Sequence, residues 1–435
     1  MNLRTVWTTF FFGFLFFLPI QTVFLVREPF ISGEKWQYGV IGIYATDILL
    51  SAALIVFFAS RICSSPEFSW RKFPGRERFP EKMLLIFLGW AGLSVFWASD
   101  TILAAYFFLK LLLACGVFFL ARSLDEKEAG RGIMILAAAA LLQAGLAGWQ
   151  FLSQTSFAST LLGMSAHESW VAGTSVLKNE SGRWLRGYGT LPHPNILGGF
   201  IGAMLALTLG SRYFRLTAGT LLLAAILFSG LVFTFSRSAW LGVVMALFFL
   251  FLSLRRRKEG KKERELGVIF AFLLVVGMGL FLLVPETIAP RFESEALSRE
   301  RSISDRIASF VDAKSLVASH PVFGVGIGGF TASVIQGGDP ARPIWSIQPA
   351  HNVFLLVFAE LGIIGLGFFV FFLLLLLKDL IRTRKEAGKN MAAFAVIALF
   401  PSMLLDHWLL TSHFGLFLLF FLFGLCLRGQ KPLST

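Results

Sequence analysis

The feature that most constrains this chain is a succession of long apolar runs separated by short charged loops. The runs lie at about Trp7–Val26, Gly39–Ile62, Met83–Ala98, Ile102–Ala121, Ile133–Leu152, Ile196–Leu209, Leu216–Phe235, Ala239–Leu254, Leu266–Val284, Val353–Leu377, Met391–Trp408 and Phe414–Leu427. A straight crossing of the hydrocarbon layer takes ~20 apolar residues, and within it every backbone polar group must find a partner. The spacing predicts an all-α integral membrane protein of about twelve transmembrane helices, with flanking polar residues completing the shorter runs. No soluble class accommodates 56% hydrophobic residues and 49 Phe in 435. The first run follows Arg4 and ends in Val-Arg-Glu-Pro without a small-residue cleavage site. It is too long for a signal-peptide core and is expected as a retained helix.

Charge orients the set. Arg61–Lys82 carries six Lys or Arg, Arg255–Glu265 seven and Lys378–Lys389 five, all on the side of the N-terminus. The excess of cations marks that side, and with it both termini, as cytoplasmic. The net charge of +13 is therefore topological, answered by membrane lipid headgroups rather than by nucleic acid. Cys63, Cys115 and Cys426 stand singly, with no disulfide framework or zinc spacing.

The other side receives the two longest loops, about 153–194 and 285–350. In the second, Ile307, Phe310, Val311, Lys314 and Val317 recur at helical spacing, with Ser302 and Ser304 as candidate caps and His320-Pro321 as a stop. An amphipathic helix resting on the membrane surface or on the bundle is expected. Gly324, Gly326, Gly328 and Gly329 follow. They allow either close backbone approach to a phosphate or a tight turn.

Four polar clusters fall on this outer side. One is Gly182–Asn195, with Arg183, Arg186, His193 and Asn195; a second is Thr234–Trp240, with Arg237 in a joint of about three polar residues. The third joins Ser304-Asp-Arg306 to His320–Gly326, and the fourth is His351-Asn352 at the head of an apolar run that contains Glu360; Asp406-His407 lies near them. An arginine at headgroup depth either snorkels to lipid phosphate or clamps a bound anion, since its planar fork meets phosphate oxygens in pairs. Three arginines with several histidines on one face suit an anionic ligand presented at the membrane surface, such as a lipid-linked pyrophosphate. No Asp-x-Asp pair or typical metal spacing is present, so charge neutralisation by arginine without a metal or other cofactor is the simpler expectation.

At these residues the chain resembles the O-antigen ligase and Wzy-type polymerase superfamily of bacterial envelope glycan enzymes. The likeness rests on Arg186-Gly-Tyr-Gly-Thr-Leu-Pro-His-Pro-Asn195, Phe235-Ser-Arg-Ser-Ala-Trp240, Ser319–Gly328, Ala350-His-Asn-Val-Phe354 and Glu360-Leu-Gly-Ile-Ile-Gly365, over about Gly182–Trp408. The resemblance implies N-terminal transmembrane helices over 1–152, a catalytic region over 153–408, and a last helix with a cytoplasmic tail over 409–435. It implies a bacterial inner-membrane glycosyltransferase, metal-independent and inverting, acting on the periplasmic or exterior side. The donor would be an undecaprenyl-pyrophosphate-linked glycan and the acceptor lipid A core, or in a polymerase the next lipid-linked glycan. By motif, His351 is the general base and Arg237 and Arg306 stabilise the departing pyrophosphate. Arg186, His193, Asn195, His320, Asn352, Asp406 and His407 bind the pyrophosphate or glycan, and Asp406 orients a catalytic partner. A lipid-linked glycan transporter is the competing class, but transporters place ionisable groups near mid-membrane and show related halves, whereas the polar residues here collect at one face.

Overall fold

The computed structural model describes residues 2–63, 79–179, 182–210, 215–256, 258–283, 296–382 and 391–428. Residues 64–78, 257 and 383–389 of the three basic loops, residues 284–295 of the second outer loop and residues 429–435 of the tail lie outside the described residues.

In chain order the elements are α1 (Leu3–Phe17), β1 (Val23–Arg27), β2 (Phe30–Ile31), β3 (Glu34–Lys35), β4 (Ile41–Tyr44), α2 (Ala45–Cys63), α3 (Phe79–Ser94), α4 (Thr101–Ser123), α5 (Glu126–Ser153), β5 (Val176–Asn179) and β6 (Gly182–Leu185). They continue with α6 (Pro194–Leu209), α7 (Ala218–Thr234), α8 (Arg237–Arg256), α9 (Gly260–Leu283), α10 (Ala296–Ser319), α11 (Phe330–Gly337), α12 (Val353–Arg382), α13 (Met391–Leu405), α14 (Trp408–Thr411) and α15 (His413–Cys426). Among the described residues, seven helices are long and apolar enough to cross a membrane: α2, α3, α4, α5, α8, α9 and α12. Shorter apolar helices, α1, α6, α7, α13 and α15, coincide with the remaining runs.

Three expectations change. The first run does not stay helical to Val26: α1 ends ahead of Pro19, and Val23–Arg27 pairs antiparallel with Ile41–Tyr44. Pro19 has no N–H with which to continue the helical ladder, and β-branched residues suit a paired strand, so the second run also opens as a strand. Two more hairpins, β2–β3 and β5–β6, make the helical chain locally β in its connections. The candidate caps Ser302 and Ser304 lie inside α10, which starts at Ala296. Its buried side is Ser309, Ala313 and Leu316, while the stripe Ile307, Phe310 and Val311 is exposed.

Buried polar groups pin the packing. On α5, Gln150 accepts the Tyr188 and Gly189 amides at 2.9 and 2.8 Å, and Gln143 accepts that of Thr190 at 2.7 Å. Seven residues apart, the two glutamines share a helix face and hold the loop that leads into α6. Lys110 of α4 pairs with Asp47 of α2 beside His413 of α15, whose Nε2 meets Thr46 Oγ1 at 2.8 Å. Past the C-terminal end of α4, Arg4 bonds Glu128 at 2.8 Å and Arg428 donates to the Asp125 carbonyl at 2.9 Å, so the first and last described segments meet there.

The segment between α10 and α12 is fixed by a break in α12. Gly362 takes φ 67° and ψ −175° inside this helix, a backbone state open to glycine and strained for other residues. The break releases backbone groups, and the stretch 321–330 takes them. Ile363 N–H donates to Pro321 O at 2.9 Å, while Ala359 and Glu360 carbonyls accept from Val325 at 3.0 Å and Gly326 at 2.8 Å. Trp90 Nε1 donates to Leu361 O at 2.9 Å. The Glu360 carboxylate accepts the Gly328 and Phe330 amides at 2.9 and 3.4 Å. The glycines expected either to cradle phosphate or to turn are thus used for packing: a Cβ on Gly324 would meet the Glu360 carbonyl carbon at 2.4 Å, and one on Gly362 the Val322 oxygen at 2.0 Å. Gly362→Ala is expected to cost at least about 1–3 kcal/mol through backbone strain alone. A thermal unfolding midpoint of the detergent-purified variant equal to that of the unmodified protein would refute this account of the break.

Candidate functional site

The site begins with the loop before α6. Pro192 and Pro194 flank His193, which caps α6 from an extended conformation, its Nδ1 accepting the Asn195 N–H at 3.1 Å. Asn195 then bridges two charges: Nδ2 donates to Asp406 Oδ2 at 3.2 Å, and Oδ1 accepts from Arg186 Nη2 at 2.9 Å. Arg186 is buried, and its Nε donates to Thr234 O at 2.7 Å and its Nη1 to Ser175 Oγ at 2.8 Å. One relay therefore ties the end of β6, the start of α6, the α7–α8 joint and the turn after α13.

That turn supplies Asp406 and His407, both buried. Asp406 Oδ1 accepts the His407 N–H at 2.8 Å, and His407 Nδ1 meets Thr411 Oγ1 at 2.7 Å. His351, half-buried just ahead of α12, meets Ser309 Oγ of α10 through Nδ1 at 3.2 Å. The two hydroxyls also donate to helix carbonyls, Ser309 to Arg306 O at 3.0 Å and Thr411 to His407 O at 3.2 Å. A hydroxyl has one proton. With that proton on the carbonyl, the hydroxyl oxygen accepts from the imidazole, and on this hydrogen-bond argument both histidines are assigned N–H at Nδ1 and a lone pair at Nε2. His193 is assigned the opposite tautomer, because its Nδ1 accepts. The His351 and His407 rings are 5.0 Å apart edge to face, and Tyr38 packs on His407 at 5.7 Å.

Electrostatics follow from burial. Burial pushes the His351 imidazole below its ordinary range; Asp406 opposes this and Arg306 adds to it. Burial carries His407 down to about 4 against the pull of Asp406, and lowers His193 with help from Arg186. For Asp406 burial acts upward, but His407, His351, His193 and the Asn195 hydrogen bond outweigh it and hold the carboxyl below its usual value. The cluster is thus one carboxylate among neutral imidazoles. One ring nitrogen each of His351 and His407 and one Asp406 oxygen lie within 4.8 Å of one another, so these three can hold a metal ion.

The other sequence candidates divide. Arg306 is half-buried close enough to His351 to act on its charge, and its guanidinium makes no hydrogen bond or ion pair among the described residues. Arg237 opens α8 at an exposed position, three residues after the Thr234 carbonyl that Arg186 grips. Asn352 is a brace, accepting the Leu355 N–H at 2.9 Å and donating to Leu404 O at 3.0 Å. His320 is exposed just past the end of α10, its Nδ1 against the hydroxyl of its neighbour Ser319 at 3.0 Å. An apolar cavity lined by Tyr38, Phe107, Leu356, Glu360, Thr411 and Phe420, among others, adjoins the cluster at Thr411.

Sequence reasoning missed Ser309, Thr411, Tyr38 and the two α5 glutamines. Ser309 follows Arg306 by three residues and Thr411 follows His407 by four, spacings that share a helix face, and this was the available signal. Tyr38 had none. Asn195→Ala and Asp406→Ala are each expected to destabilise the protein, and to do so non-additively by about 1–3 kcal/mol when combined, since both delete one bond of a buried charged relay. Additive losses in unfolding midpoint would show the relay to be two independent contacts.

No curated protein matches the chain. Residues 221–370 match the family model of O-antigen ligase. That stretch runs from α7 into α12 and contains Arg237, Arg306, His320, His351 and Asn352, while Arg186, His193, Asn195, Asp406 and His407 reach the same end of the bundle from outside it. Over that stretch the chain is similar to the O-antigen ligase family, and it carries seven described helices long and apolar enough to cross a membrane.

Proposed function

We propose that the protein is an O-antigen ligase: an inverting, metal-independent glycosyltransferase that moves a glycan from undecaprenyl pyrophosphate to a sugar hydroxyl of lipid A core outside the bacterial inner membrane. The observation that carries this reading is the pairing of His351, whose Nε2 lone pair is set by Ser309, with Arg306 one helical turn from that serine and acting on the same imidazole.

The acceptor hydroxyl oxygen attacks the anomeric carbon on the face opposite the pyrophosphate. A new C–O bond forms as the bond to the phosphate oxygen breaks, the hydroxyl proton passes to His351 Nε2, and the pyrophosphate leaves with the bonding pair. One displacement inverts the anomeric centre. A neutral imidazole is suited to take that proton at physiological pH. Arg306 and Arg237 meet the charge that grows on the leaving group, and fixed cations at a partly desolvated site stabilise it more than water would. Arg186, braced through Asn195 to Asp406, adds positive potential from behind, and Asp406 orients the imidazoles. His193 offers Nε2–H to a sugar or phosphate oxygen, and Asn352 sets the start of α12. His320, at the exposed end of α10, contacts the glycan. The apolar cavity beside Thr411 suits the first isoprene units of the lipid.

His351→Gln is expected to lower transfer at least about 10²-fold, the lower end of what a general base contributes, with lipid-linked donor still bound. Arg306→Lys is expected to lose much of the rate although the charge is kept, because a point charge does not reproduce a bidentate fork. Purified protein in lipid would be given undecaprenyl-pyrophosphate-linked glycan alone or with lipid A core, and product size followed on a gel. One addition that requires the core supports the ligase. Ladder growth from donor alone would make it a polymerase, and glycan crossing the bilayer without transfer would make it a transporter.

A further inference from the structure

We propose that His351, Asp406 and His407 form a binding site for a transition-metal ion of the zinc class, and that an ion bound there switches the enzyme off. The proposal rests on the reading of His351 as the base, since metal and proton would compete for one lone pair.

The donor set is two imidazoles and one carboxylate, with one ligand atom from each within 4.8 Å of the others. Zinc–nitrogen and zinc–oxygen bonds of about 2.0–2.2 Å would need these side chains to close on the ion. Two nitrogen donors favour zinc, copper, nickel or cobalt over magnesium and calcium, which take oxygen. The surrounding bonds have the pattern that orients metal ligands: each imidazole gives Nδ1–H to a hydroxyl, Ser309 or Thr411, leaving Nε2 for the ion. Asp406 is held by Asn195 and by the His407 amide. His193 is excluded as a ligand by its tautomer, since its Nδ1 accepts the Asn195 N–H. Three protein ligands leave a fourth position open to water or to a substrate oxygen.

Full-length protein in lipid nanodiscs, stripped with EDTA, would be dialysed against Zn2+ and its metal content measured without any glycan. One equivalent is expected, with His407→Gln, His351→Gln and Asp406→Asn each losing it and Thr411→Val binding about tenfold more weakly. In the unmodified protein, Zn2+ should protect His351 and His407 from diethylpyrocarbonate, read by peptide mass, which keeps the test open if a variant does not fold. Zn2+ should also suppress transfer at least about tenfold, reversed by EDTA, as expected where metal and proton compete for the general base. No bound equivalent, an equivalent retained in all three variants, or unprotected histidines would overturn the site. Bound, protecting Zn2+ with undiminished transfer would overturn the switch. Because binding is measured without substrate, a protein that binds Zn2+ at these residues but transfers no glycan contradicts the proposed function and leaves the metal site standing.

Discussion

Hydrocarbon does not hydrogen-bond, and that constraint governs how the site at this end of the bundle can be built. A helix crossing the membrane can break only where other protein atoms take up the released amides and carbonyls. In α12 the break at Gly362 is answered by the chain from Pro321 to Phe330, with backbone bonds to Ile363, Ala359 and Glu360 and with the Glu360 carboxylate on two more amides. The consequence is positional. The segment that closes the break continues directly from the end of α10, so satisfying the backbone fixes α10 against the head of α12. Ser309 and Arg306 ride on one and His351 stands at the start of the other.

A second requirement is met at the same end by side chains. Arg186 and Asp406 are buried charges from segments far apart in sequence, and Asn195 stands between them and satisfies one group on each. Removing one partner of such a relay strands a charge, which is why buried charges are found in chains of hydrogen bonds rather than alone. The same relay reaches the Thr234 carbonyl and so sets where α7 ends and Arg237 begins α8. The arginines therefore do different work: one holds the frame, while another, Arg306, is left without a protein hydrogen-bond partner among the described residues beside the histidine.

The sequence carried the apolar runs, because a bilayer imposes a length and a composition that no tertiary contact can override. It carried the polar clusters too, since each interrupts or borders a run, and residues from each of them gather at one end of the bundle. It did not carry the strands at Val23 and Ile41, whose apolar residues fit a helix equally well until Pro19 and the partner strand are considered together. It did not carry the grouping of His351 with Asp406 and His407 either. Metal and catalytic spacings are read locally, and here the whole of α12 and α13 separates the partners. The glycines after His320 were ambiguous for a related reason: the backbone they allow near Glu360 is chosen by the break in α12, which the sequence marks only as one glycine among apolar residues.

The tautomers give the site its direction. Three imidazoles surround Asp406, and local hydrogen bonds assign them unequally. Ser309 and Thr411 turn His351 and His407 into acceptors at Nε2, while the amide of Asn195 turns His193 into a donor at the same atom. Burial keeps all three below their ordinary range and so neutral, which preserves the assignment across physiological pH. A substrate arriving between them meets a hydrogen-bond donor on one side and lone pairs on the other, with a carboxylate between and an arginine beside the acceptor. In the proposed transfer, an attacking hydroxyl needs a lone pair to receive its proton and the departing oxygen needs donors and positive charge. The arrangement separates those two needs in space, and the helix-capping and helix-face hydrogen bonds that make the separation are the same bonds that brace α6, α10 and α14 at this end of the bundle.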